Sequence, residues 1–246
     1  MGRADLQLHS DLGDGLASPE EILDAAERSG LSVIALTDHD DIRGSFILRD
    51  LAARRSSTVR VIPGVEVTTR SGHLLALFVE DEPPMFRPLS ETVVAIHRQG
   101  GLAVVPHPLS YLTFSVGERA LRMLAERGDD ESFIDGIELR NPSYAGRVRA
   151  TRAGWLNAHV LRTAVTGSSD AHRAELVGSA WTEYAGETID DLRAALRART
   201  TKAAGRSWTL REHLRGAGRQ QYRSMLRDPA KRIRRRLPMR RGRPAD

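Results

Sequence analysis

Short apolar runs recur along this chain, and almost every one stops at a histidine or a carboxylate. The runs are LQL ending at Leu8, VIAL at 33–36, VRVIPGVEV at 59–67, HLLALFV at 73–79, LAVV at 102–105 and IDGIEL at 134–139. Their brevity and continuous hydrophobicity predict strands covered on both faces. Amphipathic helical segments lie between them. In SPEEILDAAERSG, Ser18 is placed to cap, Pro19 opens the first turn, Glu20 and Glu21 favour the amino end, and Gly30 terminates. Similar patterns at about 43–54, 90–99, 118–127, 145–158 and 188–198 make strands alternate with helices, which predicts βαβ units in an α/β barrel or open α/β sheet.

In either architecture, chemistry collects where strands end. His9 and Asp14 follow the first run, Asp38 and His39 the second, and Glu66 lies in the third. His73 heads the fourth, and His107 follows the fifth. Arg140 and Asn141 follow the sixth, and Asp170 and His172 follow LRTAVTG. Five of the eight histidines thus sit at strand ends, while His97, His159 and His213 fall in helical patterns and read as ordinary surface residues. Imidazoles interleaved with carboxylates suit zinc, manganese or iron, and eight such groups exceed what one tetrahedral ion needs. With no cysteine, thiolate zinc sites, iron–sulfur clusters and disulfides are excluded.

Charge divides the chain. Residues 202–246 carry 15 basic and 3 acidic side chains, whereas residues 1–201 carry 22 basic and 29 acidic. We therefore expect a folded unit over 1–201 and a basic tail over 202–246. Arg211, Arg215, Arg219, Arg223 and Arg227 recur every four residues, predicting a helix over 208–227. Such a helix could guide nucleic acid or anionic phosphates, or be a solvated terminus against the acidic domain. Trp208 and Tyr222 are its only aromatic residues, too few for a dedicated single-strand binder. The opening MGRADLQLHS has no signal-peptide hydrophobic region, and no apolar run is long enough to span a bilayer. A cytoplasmic location is the expectation.

The strand-end residues resemble the PHP domain, the family named for its polymerase and histidinol phosphatase members. Its D-x-H-x-H-[ST] opening and S-D-G turn are similar to Asp5 to Ser10 and Gly13-Asp14-Gly15, and its I-A-[LI]-T-D-H to Ile34 to His39. Pro63 to Glu66, His73 to Leu75, Pro106 to Pro108, Ile137 to Asn141 and Ser168 to His172 match its later motifs in order. The resemblance covers residues 3 to about 200 and implies a distorted (β/α)7 barrel with a basic, helical C-terminal extension.

It further implies a two- or three-metal cluster. His9, Glu66 and Asp170 would hold one cation with residue 7; Glu66, His73 and His107 a second; and Asp14, His39 and His172 a third. Where the family has histidine, this chain has Gln7, whose carbonyl oxygen is a harder, weaker donor. Mn²⁺ is the first expectation, with Zn²⁺, Fe²⁺ or Mg²⁺ as alternatives. The implied activity is phosphoester hydrolysis on a nucleotide or short oligonucleotide, with His39, Glu66, Asp170 and His172 catalytic; Arg140 and Asn141 could reach substrate phosphate or form the turn before Pro142. Asp38 would orient His39 or cap its strand. The alternative is a metal-stabilised module that binds nucleic acid or a partner without hydrolysis, its metal site weakened at Gln7.

Overall fold

The computed structural model describes residues 1–128, 131–215, Gly218, Tyr222 and Arg223. Its centre is a nine-stranded sheet ordered β7-β6-β5-β4-β3-β2-β1-β8-β9. The strands are β1 (Gly2–Leu8), β2 (Val33–Leu36), β3 (Arg60–Thr69), β4 (Gly72–Leu77), β5 (Leu102–Val105), β6 (Gly136–Arg140), β7 (Ala164–Gly167), β8 (Ala180–Tyr184) and β9 (Lys202–Gly205). β1, β2 and β3 are parallel, as are β5, β6 and β7, while β4 runs antiparallel to β3 and β5. Because β4 is reversed, its first residues lie at the edge where its parallel neighbours end. That reversal brings His73 to the same mouth as the other strand-end residues.

Side chains alternate between two apolar layers, as strand geometry requires. One cluster takes Ala4, Leu6, Val33, Ala35, Ile62, Leu75, Leu77, Leu102, Val104 and Ala164, joined by Leu192 and Leu196 of the helix Ile189–Ala198. The intervening residues, including Ile34, Leu36, Val61, Leu74, Ala76, Ala103 and Val105, pack instead with helices. The first cluster is therefore the barrel interior, with that helix beneath it. Within the same inward phase the interior turns polar toward the mouth, at Glu66, His73 and Glu138. In β1 the register shifts between Asp5 and Leu8. This change of phase sends Leu8 into the outer layer and leaves Gln7 facing Glu66; re-aiming side chains is what such irregularities do.

The expected helix at Ser18 forms as Pro19–Arg28, with Ser18 and Glu21 closing a reciprocal capping box, a feature worth about 1 kcal/mol. Helices also form at Arg43–Arg54, Leu89–His97 and Glu118–Arg127. The segment expected to be one helix over 145–158 is Tyr144–Arg147 followed by Ala150–Leu156, and the chain then widens into a π-helical turn at Asn157–Leu161.

β7 and β8 approach without a backbone ladder. Thr182 Oγ1 accepts from Gly167 N at 3.0 Å and donates to Gly167 O at 2.9 Å, joining the two strands where the sheet curls back on itself. The sheet continues past the expected boundary at residue 201: β9 pairs with β8 from Lys202 to Gly205. Of the expected helix over 208–227, Leu210–Leu214 is observed, and Arg219 and Arg227 lie outside the described residues. No helix among the described residues is long and apolar enough to cross a membrane.

Candidate metal centre

Glu66 is wholly buried and faces two groups of imidazoles. Its Oε1 lies 2.8 Å from His73 Nδ1 and 3.3 Å from His107 Nε2. Its Oε2 lies 3.1 Å from His9 Nε2 and 3.9 Å from His39 Nδ1, and accepts from Gln7 Nε2 at 2.9 Å. Asp170 Oδ1 is 3.3 Å from His9 Nε2. Asp14 Oδ2 is 3.3 Å from His172 Nε2 and 3.9 Å from His39 Nε2. All nine expected ligand residues are thus brought into one connected cluster.

The local backbone explains this convergence. His9 N donates to Ala171 O at 3.0 Å, joining the first strand end to the last. Buried Asp5 accepts from Ser169 N at 2.8 Å and Gly178 N at 2.9 Å, fastening the Asp170 loop to β1; burial pushes its carboxyl up to about 6. His107 and Asp170 adopt left-handed backbones, with φ of 31° and 51°, a conformation retained when surrounding contacts enforce it. For His107, Glu138 Oε2 accepts its N–H at 2.7 Å, and Ser115 Oγ meets its Nδ1 at 2.8 Å. The Asp14 loop packs tightly on its own start, because a Cβ at Gly15 would collide with His9 O.

Electrostatics follow from this crowding. Burial opposes the Glu66 charge, yet His39 and His73 hold its carboxyl well below the usual range. Asp14 is likewise held low against burial by His172 and His39. Burial lowers His39 to about 3, whereas Glu66 overcomes burial at His107 and raises it to about 9. The rings of His9 and His172 stack at 4.3 Å, His9 and His39 at 4.9 Å, and His39 and His73 lie 4.5 Å apart. Rings this close repel one another when protonated, but neutral imidazoles sharing carboxylates are the donor set of a cation cluster.

The side chains fit such a group. His9, Asp14 and His39; His9, Asp170 and His172; and His39, Glu66 and His73 each offer ligand atoms within 4.8 Å of one another. Among the described residues, buried Gln7 Oε1 and His39 Nδ1 find no hydrogen-bond partner. A bound cation would satisfy such acceptors, which are otherwise costly to bury.

Asp38 accepts from Ser10 N at 2.7 Å and Ser10 Oγ at 2.6 Å, so it caps the loop after His9; burial raises it to about 7. Arg140 donates Nη2 to Gly205 O at 2.7 Å, and Asn141 Nδ2 donates to Glu138 Oε2 at 3.1 Å and Asp170 Oδ2 at 3.5 Å. Both side chains thus make hydrogen bonds at the strand ends beside the cluster. His97 is not an ordinary surface residue: its Nε2 lies 2.8 Å from Asp135 Oδ2 and its Nδ1 meets Glu131 O. Glu138 was not anticipated, although a carboxylate inside the apolar run IDGIEL was a usable signal; burial pushes it up to about 8.

The tail also reaches this loop. Arg223 is buried, with its guanidinium donating to Gly15 O and, at 2.7 Å, to Asp11 O. Arg173, next to His172, donates to the carbonyls of Glu212 and Arg215.

Comparison with known proteins agrees with this geometry. The PHP domain model matches residues 5–100, and the PHP-associated model matches residues 150–201. An uncharacterized protein of Methanocaldococcus jannaschii is 32% identical over 150 residues, spanning 56% of this chain and 81% of that protein. The phosphoribosyl 1,2-cyclic phosphate 1,2-diphosphodiesterase of Eggerthella lenta is 35% identical over 86 residues, 32% of each chain. The 3′,5′-nucleoside bisphosphate phosphatase of Chromobacterium violaceum is 34% identical over 88 residues, 34% of this chain and 30% of its own length. The matches thus span about a third of these two relatives. Among solved structures, a two-domain Bacteroides vulgatus protein described as containing a predicted PHP-like metal-dependent phosphoesterase superposes with a TM-score of 0.65 at 22% identity, covering 83% of this chain and 64% of that one. The chain belongs to the PHP domain family.

Proposed function

We propose that this chain is a metal-dependent phosphoesterase acting on nucleotides or short oligonucleotides, with Mn²⁺ the first metal to test. The observation that carries this reading is Glu66, whose two oxygens face separate imidazole groups, His73 with His107 and His9 with His39. His9, Glu66 and Asp170 with Gln7 Oε1, then Glu66, His73 and His107, then Asp14, His39 and His172 would hold two or three divalent cations. When bound, such cations acidify water near neutral pH and neutralise charge developing on a phosphoryl group.

The protein's own groups do the rest. Glu66 spans the two inner groups and fixes their separation. Ser115 Oγ at His107 Nδ1 orients that imidazole, while Asn141 holds Asp170. His39 and His172 are slightly exposed at the mouth, where their side chains can reach a substrate. At His172, Nδ1 lies 2.9 Å from Asp170 O, which orients the ring and leaves Nε2, 3.3 Å from Asp14 Oδ2, as the nitrogen for a cation.

The bisphosphate phosphatase relative supports a nucleotide substrate, and the cyclic-phosphate relative widens the class to phosphodiesters. One observation favours the non-hydrolytic module: Gln7 Nε2 occupies Glu66 Oε2, competing with a cation for that oxygen. Chelation and His39→Ala should each abolish phosphate release, with Mn²⁺ restoring the chelated enzyme alone. For the module, nucleic-acid binding would survive Asp170→Ala and require residues 224–246, without turnover.

A further inference from the structure

The connection from β5 to the helix Glu118–Arg127 places three large apolar side chains in solvent, one of them, Phe114, against His73 of the cluster. Tyr111 is 67% exposed, Leu112 50% and Phe114 49%. Such exposure is costly unless something covers it. The segment is not a loose loop. Phe114 O accepts from His73 N at 2.9 Å, Leu109 N donates to Val116 O at 3.1 Å, and Ser110 Oγ donates to Ala145 O at 2.6 Å. Ser115, one residue beyond Phe114, hydrogen-bonds the His107 ring. Phe114 therefore sits rigidly between two residues of the candidate centre, with its ring centroid 5.4 Å from that of His73 at an interplanar angle of 83°. Tyr111 has the guanidinium of Arg149 at 5.8 Å from its ring.

We propose that Tyr111 and Phe114 form the platform on which the nucleobase of the substrate stacks, with Arg149 beside it for a flanking phosphate. This rests on the reading of the cluster as a phosphoesterase. The chemistry selects a base over other occupants. Because the Phe114 ring packs edge-to-face with His73 and is half exposed, a phosphoryl group held at that end would leave its organic part beside an aromatic surface. Flat aromatic faces accept any base, and a nearby arginine adds attraction to both ring and phosphate. A rigid platform also limits the ordering cost of binding. The expected specificity is for base-bearing phosphoesters with little discrimination among bases, since no hydrogen-bonding edge readout is involved in stacking.

The test compares 3′,5′-bisphosphoadenosine with ribose 5-phosphate as substrates of the full chain loaded with Mn²⁺. In the unaltered protein kcat/KM should favour the adenosine compound. Phe114→Ala and Tyr111→Ala should each lower that preference about tenfold, within the range base–aromatic stacking gives. Phe114→Trp should restore it and Phe114→Leu should not, which separates stacking from packing. Circular dichroism of each variant checks that the fold persists. Turnover of both compounds with a preference unmoved by the alanine variants would overturn the platform while leaving the phosphoesterase standing. Failure to turn over any phosphoester would instead remove the reading on which it rests. Self-association that disappears in the Tyr111→Ala, Phe114→Ala double variant, with preference unchanged, would assign this lip to contact between copies and equally overturn the platform.

Discussion

Gln7 Nε2 donates to Glu66 Oε2 across 2.9 Å, at the position where the family's opening motif carries a histidine. The amide thus braces the carboxylate at the centre of the cluster and leaves Gln7 Oε1 as a weaker donor. Gln7→His should add about one equivalent of tightly held cation and shift preference toward zinc, because imidazole is the softer ligand. Elemental analysis after dialysis measures this; unchanged cation content and preference would show that residue 7 is not a ligand.

Ser115 Oγ lies 2.8 Å from His107 Nδ1 and fixes the ring that presents Nε2 to Glu66. Ser115→Ala should weaken metal affinity by about 10- to 100-fold, the usual effect of losing a partner behind a ligating histidine. Titration of metal-stripped protein with Mn²⁺ reads the change, and an affinity equal to the parent's would refute the role.

Arg223 spans 208 residues of sequence to reach Gly15 O. Its other contact, Asp11 O, makes it a clamp on the loop that carries Asp14. Arg223→Ala should lower the affinity of the most weakly held cation about tenfold and lower the thermal midpoint, with Arg223→Lys intermediate. Unaltered affinity and midpoint would confine the tail to a role away from this loop.

His97 supplies a pH prediction away from the cluster. Burial lowers this imidazole, but hydrogen bonds to Asp135 and the Glu131 carbonyl outweigh it and raise its pKa above the ordinary 6.5. The folded state therefore binds the proton more tightly. The resulting stability is complete below 6.5 and is lost as pH rises through the raised value. Urea unfolding of His97→Gln against the parent should show a deficit at pH 5.5 that shrinks by pH 9; a deficit constant across that range would contradict the linkage.

Much of the architecture was legible because strands covered on both faces read as unbroken apolar runs, as VIAL and LAVV do. The polar residue after each run then marked the mouth. Ser18, Pro19 and Glu21 made the first helix readable to within a residue or two. Less visible was the direction of β4, since hydrophobicity is the same for parallel and antiparallel neighbours. β8 alternates as AWTEY, with burial following the alternation, a weaker signal than an unbroken apolar run. β9 was hidden by its lysine and by the charge contrast at residue 202. Arg140, Asn141 and Glu138 show the other limit, because their roles depend on hydrogen bonds between separate strand ends.

The central claim is that phosphoester hydrolysis depends on cations gathered around Glu66. The most direct measurement is phosphate release from 3′,5′-bisphosphoadenosine and a 5′-phosphorylated RNA oligomer. It uses metal-stripped parent and Glu66→Gln proteins, each with and without added Mn²⁺. The account predicts turnover of at least one substrate by the parent only when Mn²⁺ is present, and none by Glu66→Gln. Turnover without metal, turnover that survives Glu66→Gln, or a parent that binds Mn²⁺ yet releases no phosphate would contradict it.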